Sequence, residues 1–512
     1  MRTGLRYTYT RINRKECKRY KMDIVWQNIL AVFGFIYNHL MIINLLLAVT
    51  IVFFQRKDPK SVWAWLLILY FIPVLGFIFY LLIGTDMHKQ KMFRTKEIED
   101  KINDAIRHQE TSIRNQELEI SNPEMKDYED LMLYNLHAAD AILTNDNQVR
   151  FFVDGKEKFR ALADDLEKAE HSIHIQYYII RDDELLRGIL EILKRKAKQG
   201  VEVRILYDGM GGGRFIKKKV WKQIRAMGIQ TAEFFPAIFG SLQMRINYRN
   251  HRKIVVIDGK TGYVGGFNMA REYLGLDKKF GYWRDTHMRI EGSAVDSLQV
   301  RFILDWNFAA RSKALTFEPY LAPAQGVPKG NCPVQIVTSG PDSLEQGIRN
   351  TYLRLIHKAR HSIYIQTPYF IPDESIMTAL SIAVRSGVEV NIMIPCKPDH
   401  PFVYWATYSY VGELVLLGAN CYTYMDGFLH AKGIVADEKV LCYGTANMDI
   451  RSFSLNFEVN AILYDEGKAR EMTEYFREDL KHAKKITRDM YLGRNLLVRF
   501  KEQVSRLLSP LL

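Results

Sequence analysis

Cysteine is scarce in this sequence: the 512 residues contain five, at positions 17, 332, 396, 421 and 442. They are odd in number and scattered, and no two form the C-x-x-C pair that zinc sites and redox motifs use. A disulfide-stabilised miniprotein is therefore excluded, and a reducing compartment is expected.

Extremes of composition are also missing. Charged residues make up 25% and apolar residues 48%, which excludes a mainly disordered chain and a collagen-like fibre. Acidic residues are the scarcer charged class, with 58 against 71 lysines and arginines, so the net charge is +13. This surplus favours an anionic partner such as phospholipid headgroups or nucleic acid. At about 150 residues per domain, the length predicts roughly two to four structural units.

Two stretches near the N-terminus lack charged residues altogether, Ile24 to Phe54 and Ser61 to Thr85. About 20 apolar residues suffice to cross a bilayer. We therefore expect a membrane anchor over residues 1–85, with two transmembrane helices at about 30–54 and 62–84. A buried core hairpin is the alternative interpretation.

Lysine and arginine flank these stretches unevenly. Eight lie in residues 1–23 and five in residues 89–101, whereas the loop between the stretches holds only Arg56, Lys57 and Lys60. Because cytoplasmic flanks carry the excess of positive charge, we expect a multi-pass protein of the cell membrane whose remaining chain is cytoplasmic. Residues 86–140 are expected to form a charged helical connector, or alternatively a long loop without regular structure.

The remainder of the chain contains an internal duplication. Three segments recur in the same order: EKAEHSIHIQYYIIRDDE (167–184) as HKARHSIYIQTPYFIPDE (357–374), GVEVRIL (200–206) as GVEVNIM (387–393), and HRKIVVIDGKTGYVGGFN (251–268) as HAKGIVADEKVLCYGTAN (430–447). Each copy has the pattern of a strand, a helix, a strand and a hairpin, which predicts an α/β fold. We expect two lobes, residues 141–325 and 326–512, each a mixed sheet flanked by helices and related by a pseudo-two-fold.

Both copies carry one polar motif, H-x-K-x4-D-x6-G-[GT]-x-N, in an otherwise apolar strand pair. Its members are His251, Lys253, Asp258 and Asn268 in the first copy, and His430, Lys432, Asp437 and Asn447 in the second. Side chains two apart on a strand project from the same face, so each copy offers an imidazole beside a fixed cation. Two-fold packing would bring both pairs to one site.

This set of side chains suits phosphodiester exchange. A neutral imidazole can attack phosphorus, the other can protonate the departing alkoxide, and lysine ammonium groups with asparagine amides can bind the phosphate oxygens. Asp258 and Asp437, counted with the catalytic motif, lie beyond the strand end and are assigned to fixing the turn. Asp285 and Glu458 are candidates to orient the histidine rings, with ordinary surface carboxylates as the alternative. Nothing in this arrangement requires a metal or another cofactor.

The doubled motif resembles that of the phospholipase D superfamily, and the surrounding segments resemble bacterial cardiolipin synthases over nearly the whole chain. Examples are YWRDTHMRIEG at 282–292, IQTPYFIPDE at 365–374 and NMDIRSFSLNFEVN at 447–460. The resemblance implies reversible phosphatidyl transfer between two phosphatidylglycerol molecules, giving cardiolipin and glycerol through a phosphohistidine. It also implies that His251 is the nucleophile and His430 the general acid/base, with Lys253, Lys432, Asn268 and Asn447 binding phosphate.

Other functions remain open at this point. Acceptor choice depends on pocket shape, so a phospholipase D hydrolase or another phosphatidyltransferase is the first alternative. A non-catalytic lipid-binding scaffold is the second, although intact histidines and lysines in both copies argue against it. The apolar spans disfavour a nuclease, and we expect neither nucleic acid nor a nucleotide as partner. An amphipathic C-terminal helix, with Leu496, Phe500, Val504, Leu507 and Leu511, can lie on a bilayer or pack against the lobes.

Overall fold

The computed structural model describes residues 14–53, 59–80, 107, 109–111, 113, 123–236, 248–310, 314–321, 330–343 and 345–509. These residues belong to two compact units, one of N-terminal helices up to residue 80 and one from residue 107 onward.

The N-terminal unit consists of helices α1 (Arg14–Phe53), α2 (Pro59–Phe71) and α3 (Pro73–Phe79). The second charge-free stretch is interrupted because Pro73 has no N–H to donate to the carbonyl of Leu69. Asn44 supplies the missing donor, since its Nδ2 lies 3.2 Å from the Leu69 carbonyl and 3.1 Å from the Pro73 carbonyl. The expected span at 62–84 is thus two helices as far as residue 80, and residues 54 and 81–84 lie outside the described residues. Within the described part of the chain, no helix is both long enough and apolar enough to cross a membrane.

The second unit is an α/β structure. Its described α-helices are α4 (Glu129–Ala139), α5 (Gly155–Lys168), α6 (Glu184–Lys198), α7 (Lys218–Ala226), α8 (Ala294–Ala309), α9 (Gly347–Lys358), α10 (Glu374–Arg385), α11 (Pro401–Leu417), α12 (Ile450–Ser454), α13 (Glu466–Leu480), α14 (Arg488–Leu492) and α15 (Leu496–Leu507). Short 3₁₀ helices occupy Pro123–Tyr128, Arg271–Leu274 and Glu318–Tyr320.

The strands of this unit follow the duplicated pattern. They are β1 (Leu143–Phe152), β2 (Ser172–Tyr177), β3 (Glu202–Asp208), β4 (Gln230–Phe234), β5 (Arg249–Asn250), β6 (Ile254–Ile257), β7 (Thr261–Gly265), β8 (Tyr282–Arg284), β9 (His287–Glu291), β10 (Cys332–Ser339), β11 (Ser362–Gln366), β12 (Phe370–Ile371), β13 (Glu389–Pro395), β14 (Asn420–Tyr424), β15 (Gly427–Leu429), β16 (Gly433–Ala436), β17 (Val440–Gly444), β18 (Met448–Asp449), β19 (Asn456–Leu463) and β20 (Ala483–Lys485).

One sheet runs through both copies in the order β20-β14-β13-β11-β16-β17-β19-β10-β1-β9-β7-β6-β2-β3-β4. From the antiparallel pair β1 and β10 outward, each half repeats the same strand sequence, apart from the additional edge strand β20, so the copies are related by a pseudo-two-fold. Each half mixes parallel and antiparallel pairs, as in β2 with β3 and β2 with β6. The expectation of two mixed-sheet lobes is therefore confirmed, with a continuous sheet joining them.

Equivalent helices begin at equivalent residues of the two copies. The Asp183 carboxylate accepts from the backbone N–H groups of Leu185 and Leu186 at the start of α6. Asp373 accepts from Ile376 N–H at the start of α10. These aspartates are the third residues of the repeated segments RDDE and IPDE, where an N-cap side chain satisfies donors that have no partner in the first helical turn.

Helix α4 lies elsewhere than the expected connector implies. Although it precedes the first lobe in sequence, Leu131 and Met132 pack into the apolar core of the second lobe. The Thr351 hydroxyl of α9 donates to Asn135 Oδ1 at 2.8 Å, and Arg354 pairs with Asp130. The segment from 129 to 139 is therefore part of the second lobe, because its apolar face is buried there.

Candidate active site

Each motif histidine is held by the opposite lobe. The short strand β5 pairs with β19 of the second lobe, and His251 N–H then donates to the Phe457 carbonyl at 2.9 Å. Strand β15 pairs with β8 of the first lobe, and His430 N–H donates to the Arg284 carbonyl at 2.7 Å. Both histidines therefore lie at the junction of the two lobes.

The ring contacts cross this junction in the same way. His251 Nδ1 lies 2.9 and 3.0 Å from the two carboxylate oxygens of Glu458, which is on β19. His430 Nδ1 lies 2.6 Å from Asp285 Oδ2, between β8 and β9. Both carboxylates are fully buried. When Nδ1–H donates to the carboxylate, the Nε2 lone pair of each ring is left for chemistry at phosphorus.

The two carboxylates occupy equivalent places but are held differently. In the first lobe a Cβ on Gly266 would overlap the Asp285 carboxylate, so glycine provides the space. In the second lobe the equivalent Thr445 donates its hydroxyl to Glu458 Oε2 at 2.5 Å. Asn456 Nδ2 donates to the other oxygen at 3.2 Å. The one position at which the two motifs differ, Gly266 in the first and Thr445 in the second, thus lies beside carboxylates that also differ, Asp285 and Glu458.

Both motif lysines are buried beside their histidines. Lys253 Nζ donates to the His251 carbonyl at 2.6 Å, and Lys432 Nζ donates to the His430 carbonyl. Burial lowers the pKa of Lys253 to about 7, although Glu458 acts in the opposite direction. Burial likewise lowers the pKa of Lys432 to about 8, against the effect of Asp285. Both lysines therefore exchange protons near neutral pH.

The histidines are neutral and the carboxylates charged at neutral pH. Burial lowers the pKa of His251, which Glu458 partly offsets. Burial, followed by the charge of Lys432, lowers the pKa of His430 to about 4. Burial alone would raise the pKa of Glu458, but His251 and Lys253 outweigh it and lower that pKa. The pKa of Asp285 is lowered for the corresponding reason: Lys432 and His430 outweigh its burial.

The two motifs also act on each other. The charge of Lys432 lowers the pKa of His251, and the charge of Lys253 lowers that of His430. Such coupling requires the two histidine–lysine pairs to share one low-dielectric region. The arrangement is a compact set of two neutral imidazoles, two lysines whose ammonium forms predominate below about pH 7, and two carboxylates.

Asn268 and Asn447 already have structural partners. Asn268 Oδ1 accepts from Ile179 N–H at 3.0 Å, and its Nδ2 donates to the Tyr273 hydroxyl at 2.6 Å. Asn447 Nδ2 donates to Asp449 at 3.0 Å. Each amide has two N–H donors, so one remains for an additional acceptor. Their phosphate contact stays a prediction.

Asp258 and Asp437 bind backbone rather than histidine. Asp258 accepts from Glu170, His171 and Ser172 N–H groups, each at 2.8 Å. Asp437 accepts from the three equivalent N–H groups at 2.7 to 2.9 Å. Both carboxylates lie at the strand end opposite the motif histidine and fix the chain leading into β2 or β11. Both carboxylates hold backbone in this structure, in keeping with the predicted role in fixing the turn, and their membership of the catalytic set stays a prediction.

Two buried arginines, which were not among the predicted site residues, hold the backbone carbonyls of the orienting Glu458 and Asp285. The first, Arg252, pairs with Asp305 at 2.7 Å and donates from Nε to the Glu458 carbonyl at 3.1 Å. The second, Arg284, pairs with Asp479 at 2.9 Å and donates to the Asp285 carbonyl at 2.6 Å. The dipeptide Ile-Gln, repeated on β2 and β11, is the sequence feature that points to these arginine–aspartate pairs. Gln176 Nε2 donates to Asp305 and Gln366 Nε2 donates to Asp479, both at 2.7 Å.

Aromatic rings complete the walls around the histidines. The Tyr178 ring lies 5.0 Å from the His251 ring, between centroids. The rings of Trp283 and Tyr273 lie 5.1 and 6.0 Å from the His430 ring. The Tyr369 hydroxyl, by contrast, donates a hydrogen bond to Asp399 and not to a motif histidine. These rings place low-dielectric surface beside the imidazoles, which strengthens electrostatic interactions with a bound anion.

Comparison with known proteins gives the same result for both copies. A family model described as cardiolipin synthase, PLD-like domain, matches residues 162–287 and again residues 352–480. A second model, described as phospholipase D-nuclease N-terminal, matches residues 42–84. The doubled match coincides with the two halves of the sheet.

Similar proteins extend this match over almost the full length. The major cardiolipin synthase ClsA of Bacillus subtilis is 50% identical over 472 residues, covering 92% of this chain and 98% of that protein. The cardiolipin synthase of Oceanobacillus iheyensis is 49% identical with the same coverage. A crystal structure of phosphatidylserine synthase from Haemophilus influenzae has a TM-score of 0.55 at 16% identity, covers 70% of this chain and 92% of that chain, and shares the fold. The chain therefore belongs to the bacterial cardiolipin synthases, phosphatidyltransferases of the phospholipase D type.

Proposed function

We propose that this phosphatidyltransferase joins two phosphatidylglycerol molecules into cardiolipin and glycerol through a phosphohistidine on His251. The observation that carries the proposal is the crosswise pairing of His251 with Glu458 and of His430 with Asp285, between two buried lysines. Two oriented imidazoles with opposite tasks are what a two-step exchange at phosphorus needs.

In the first step, His251 Nε2 attacks the phosphorus of one phosphatidylglycerol. The bond from phosphorus to the oxygen of the headgroup glycerol breaks, and protonated His430 gives its proton to that oxygen. The diacylglycerol part stays bonded to the phosphorus. Glu458 accepts Nδ1–H and stabilises the positive charge that develops on the His251 ring. The phosphate oxygens lie between Lys253 and Lys432, whose ammonium groups offset the added negative charge.

In the second step, the terminal hydroxyl of another phosphatidylglycerol attacks the phosphohistidine. His430, now neutral, takes the hydroxyl proton, and the bond from phosphorus to His251 breaks. His430 thus donates one proton in the first step and recovers one in the second, so the enzyme returns to its starting state. The same steps in reverse convert cardiolipin and glycerol back, since neither step consumes an external reagent.

The protonation of His430 depends on the bound substrate. In the free site, burial and Lys432 hold its pKa at about 4. A phosphodiester anion placed between the lysines partly cancels their charge and raises the pKa of His430. General acid catalysis is therefore coupled to occupancy of the site by an anionic headgroup.

We also propose that the N-terminal unit anchors the enzyme in the cell membrane as a hairpin, with α1 as one arm and α2 with α3 as the other, and with the catalytic lobes in the cytoplasm. Large apolar side chains of α1 and α2 are exposed, as for Leu45 at 66%, Trp63 at 66% and Phe71 at 72%. Exposed apolar surface of this extent is typical of lipid contact. The lysine and arginine distribution in the flanking sequence supports the orientation.

The test incubates detergent-solubilised full-length protein with phosphatidylglycerol and a chelator, and identifies products by mass spectrometry. We expect cardiolipin with an equimolar amount of glycerol, and loss of both in His251→Ala and His430→Ala. Peptide mapping after a denaturing quench at alkaline pH, where the P–N bond is stable, is expected to find the phosphatidyl-derived phosphodiester on His251 and no such adduct in His251→Ala. Phosphatidic acid as the main product would instead identify a hydrolase, and no turnover would favour a lipid-binding scaffold.

A further inference from the structure

The C-terminal helix α15 has its apolar face directed outward. Leu496, Leu497, Phe500 and Leu507 are 82%, 61%, 65% and 81% exposed, whereas the residues it buries are polar, Glu502 and Ser505. A helix that only covers a protein core buries its apolar stripe. The orientation of α15 is the reverse, which indicates an apolar partner on its outer side.

Polar contacts fix α15 in this orientation on α11. Arg506 pairs with Glu413, the Tyr410 hydroxyl donates to Ser509 Oγ at 3.2 Å, and Lys501 Nζ lies 5.3 Å from the centroid of the Trp405 ring. The outward direction of the leucines therefore follows from specific contacts between the two helices.

Positive charge flanks the apolar stripe, since Arg499 and Lys501 lie on either side of Phe500 around the helix. Between residues 483 and 509 the exposed basic side chains are Lys484, Lys485, Arg488, Arg499 and Lys501, and Asp489 is the single exposed acidic side chain in that range. The other acidic residue there, Glu502, is buried near Arg494. An apolar stripe with a basic rim is complementary to a bilayer of anionic lipids. A second copy of this chain would bring two basic rims together, which disfavours self-association.

We propose that α14 and α15 form a membrane-docking surface, named here the C-terminal surface, that inserts Leu492, Leu496, Leu497, Phe500 and Leu507 into an anionic bilayer. Helix α11, which supports it, also contacts the strands beside the second motif: the Thr407 hydroxyl accepts from Phe370 N–H of β12 at 3.1 Å, and β12 pairs with β18, which directly follows Asn447. Docking would therefore keep the active site beside the surface that contains its substrates. This deepens and rests on the proposed function, in which both substrates are anionic phospholipids.

The test places an environment-sensitive dye on full-length protein at Phe500→Cys, in a background with Cys17→Ser and Cys396→Ser. Glu191→Cys, on the exposed face of α6, is the matched control. Each labelled protein is reconstituted into nanodiscs of phosphatidylcholine, with or without phosphatidylglycerol, and with or without brominated acyl chains. We expect a blue shift and bromine quenching at position 500 that increase with phosphatidylglycerol, and neither effect at position 191.

The charge contribution is tested by adding Arg499→Glu and Lys501→Glu to the labelled protein. Because each basic residue near an anionic surface contributes a several-fold factor in partitioning, the quenching at 500 should fall to near the control level. A dye at 500 that stays in water in every nanodisc would overturn the proposal. A blue shift that depends on protein density but is insensitive to bromine would also overturn it, in favour of contact between copies.

The dye reports lipid contact and the product assay reports turnover, so the two proposals fail separately. Cardiolipin formation with an unquenched dye would refute the C-terminal surface alone. A quenched dye without cardiolipin would refute the proposed function alone.

Discussion

Replacing Glu458 by glutamine removes one charge from the centre of the site with little change of shape. The carboxylate accepts from His251 Nδ1 at 2.9 Å and is fully buried, so no water replaces it. A glutamine amide can donate to Nδ1, which moves the ring proton to Nε2 and removes the lone pair that attacks phosphorus. The variant is thus expected to hold His251 in the wrong tautomer.

The magnitude follows from two contributions. A buried hydrogen bond to a charged group contributes about 1.5–3 kcal/mol, which corresponds to roughly 10- to 100-fold in rate. Loss of the reactive tautomer has cost about 10⁴-fold where an analogous carboxylate was replaced in a histidine-dependent hydrolase. We therefore expect Glu458→Gln to lower the rate of cardiolipin formation by about 10² to 10⁴-fold.

The assay compares Glu458→Gln with Glu474→Gln, an exposed position on α13 where the same charge is removed. Rates of cardiolipin formation are measured at saturating phosphatidylglycerol, and the phosphohistidine adduct is quantified after a denaturing quench at alkaline pH. Melting temperature and detergent-phase monodispersity establish that both variants are folded. Activity of Glu458→Gln within about three-fold of Glu474→Gln would refute the proposed role of the crosswise pair.

Three further results are expected. Gly266→Ala should lower activity and cost about 1–3 kcal/mol in denaturant unfolding, because its Cβ overlaps the Asp285 carboxylate; unchanged values for both would contradict the described packing. Asp437→Asn should cost about 1–3 kcal/mol in the same unfolding assay while the folded protein keeps most of its kcat, since the carboxylate binds three backbone N–H groups; a loss of kcat without loss of stability would contradict this. The pH profile of kcat/KM should fall above about pH 7 to 8, where Lys253 and then Lys432 lose the protons that bind phosphate, and Lys253→Arg should extend the profile to higher pH.

The sequence alone was sufficient for the duplicated architecture, because repeated segments of one chain adopt one structure twice. The spacing of His251 and Lys253, repeated at His430 and Lys432, also predicted that each pair lies together. Such short-range placement follows from strand geometry and needs no knowledge of how the lobes pack.

The crosswise pairing could not be derived from the sequence. Glu458 is 207 residues from His251, and Asp285 is 145 residues from His430. Each carboxylate was identified as an orienting candidate, but its partner depends on the packing of one lobe against the other. The placement of α4 has the same cause, since its burial in the second lobe depends on contacts with Thr351 and Arg354 that local patterns do not contain.

The pseudo-two-fold is broken at the carboxylates, and this asymmetry bears on which histidine attacks. Glu458 is stabilised by donors from Thr445 and Asn456 and contacts His251 through both oxygens. Asp285 is one methylene shorter and contacts His430 through one oxygen, while Lys432 Nζ approaches the same Nδ1 at 2.7 Å. A nucleophile must keep one tautomer and carry positive charge through an intermediate, whereas an acid/base must gain and lose a proton in each cycle. The His251 ring, held by both oxygens of Glu458, suits the task of the nucleophile. The His430 ring, whose Nδ1 is approached by both Asp285 and Lys432, suits the task of the acid/base. These contacts support His251 as nucleophile and His430 as acid/base.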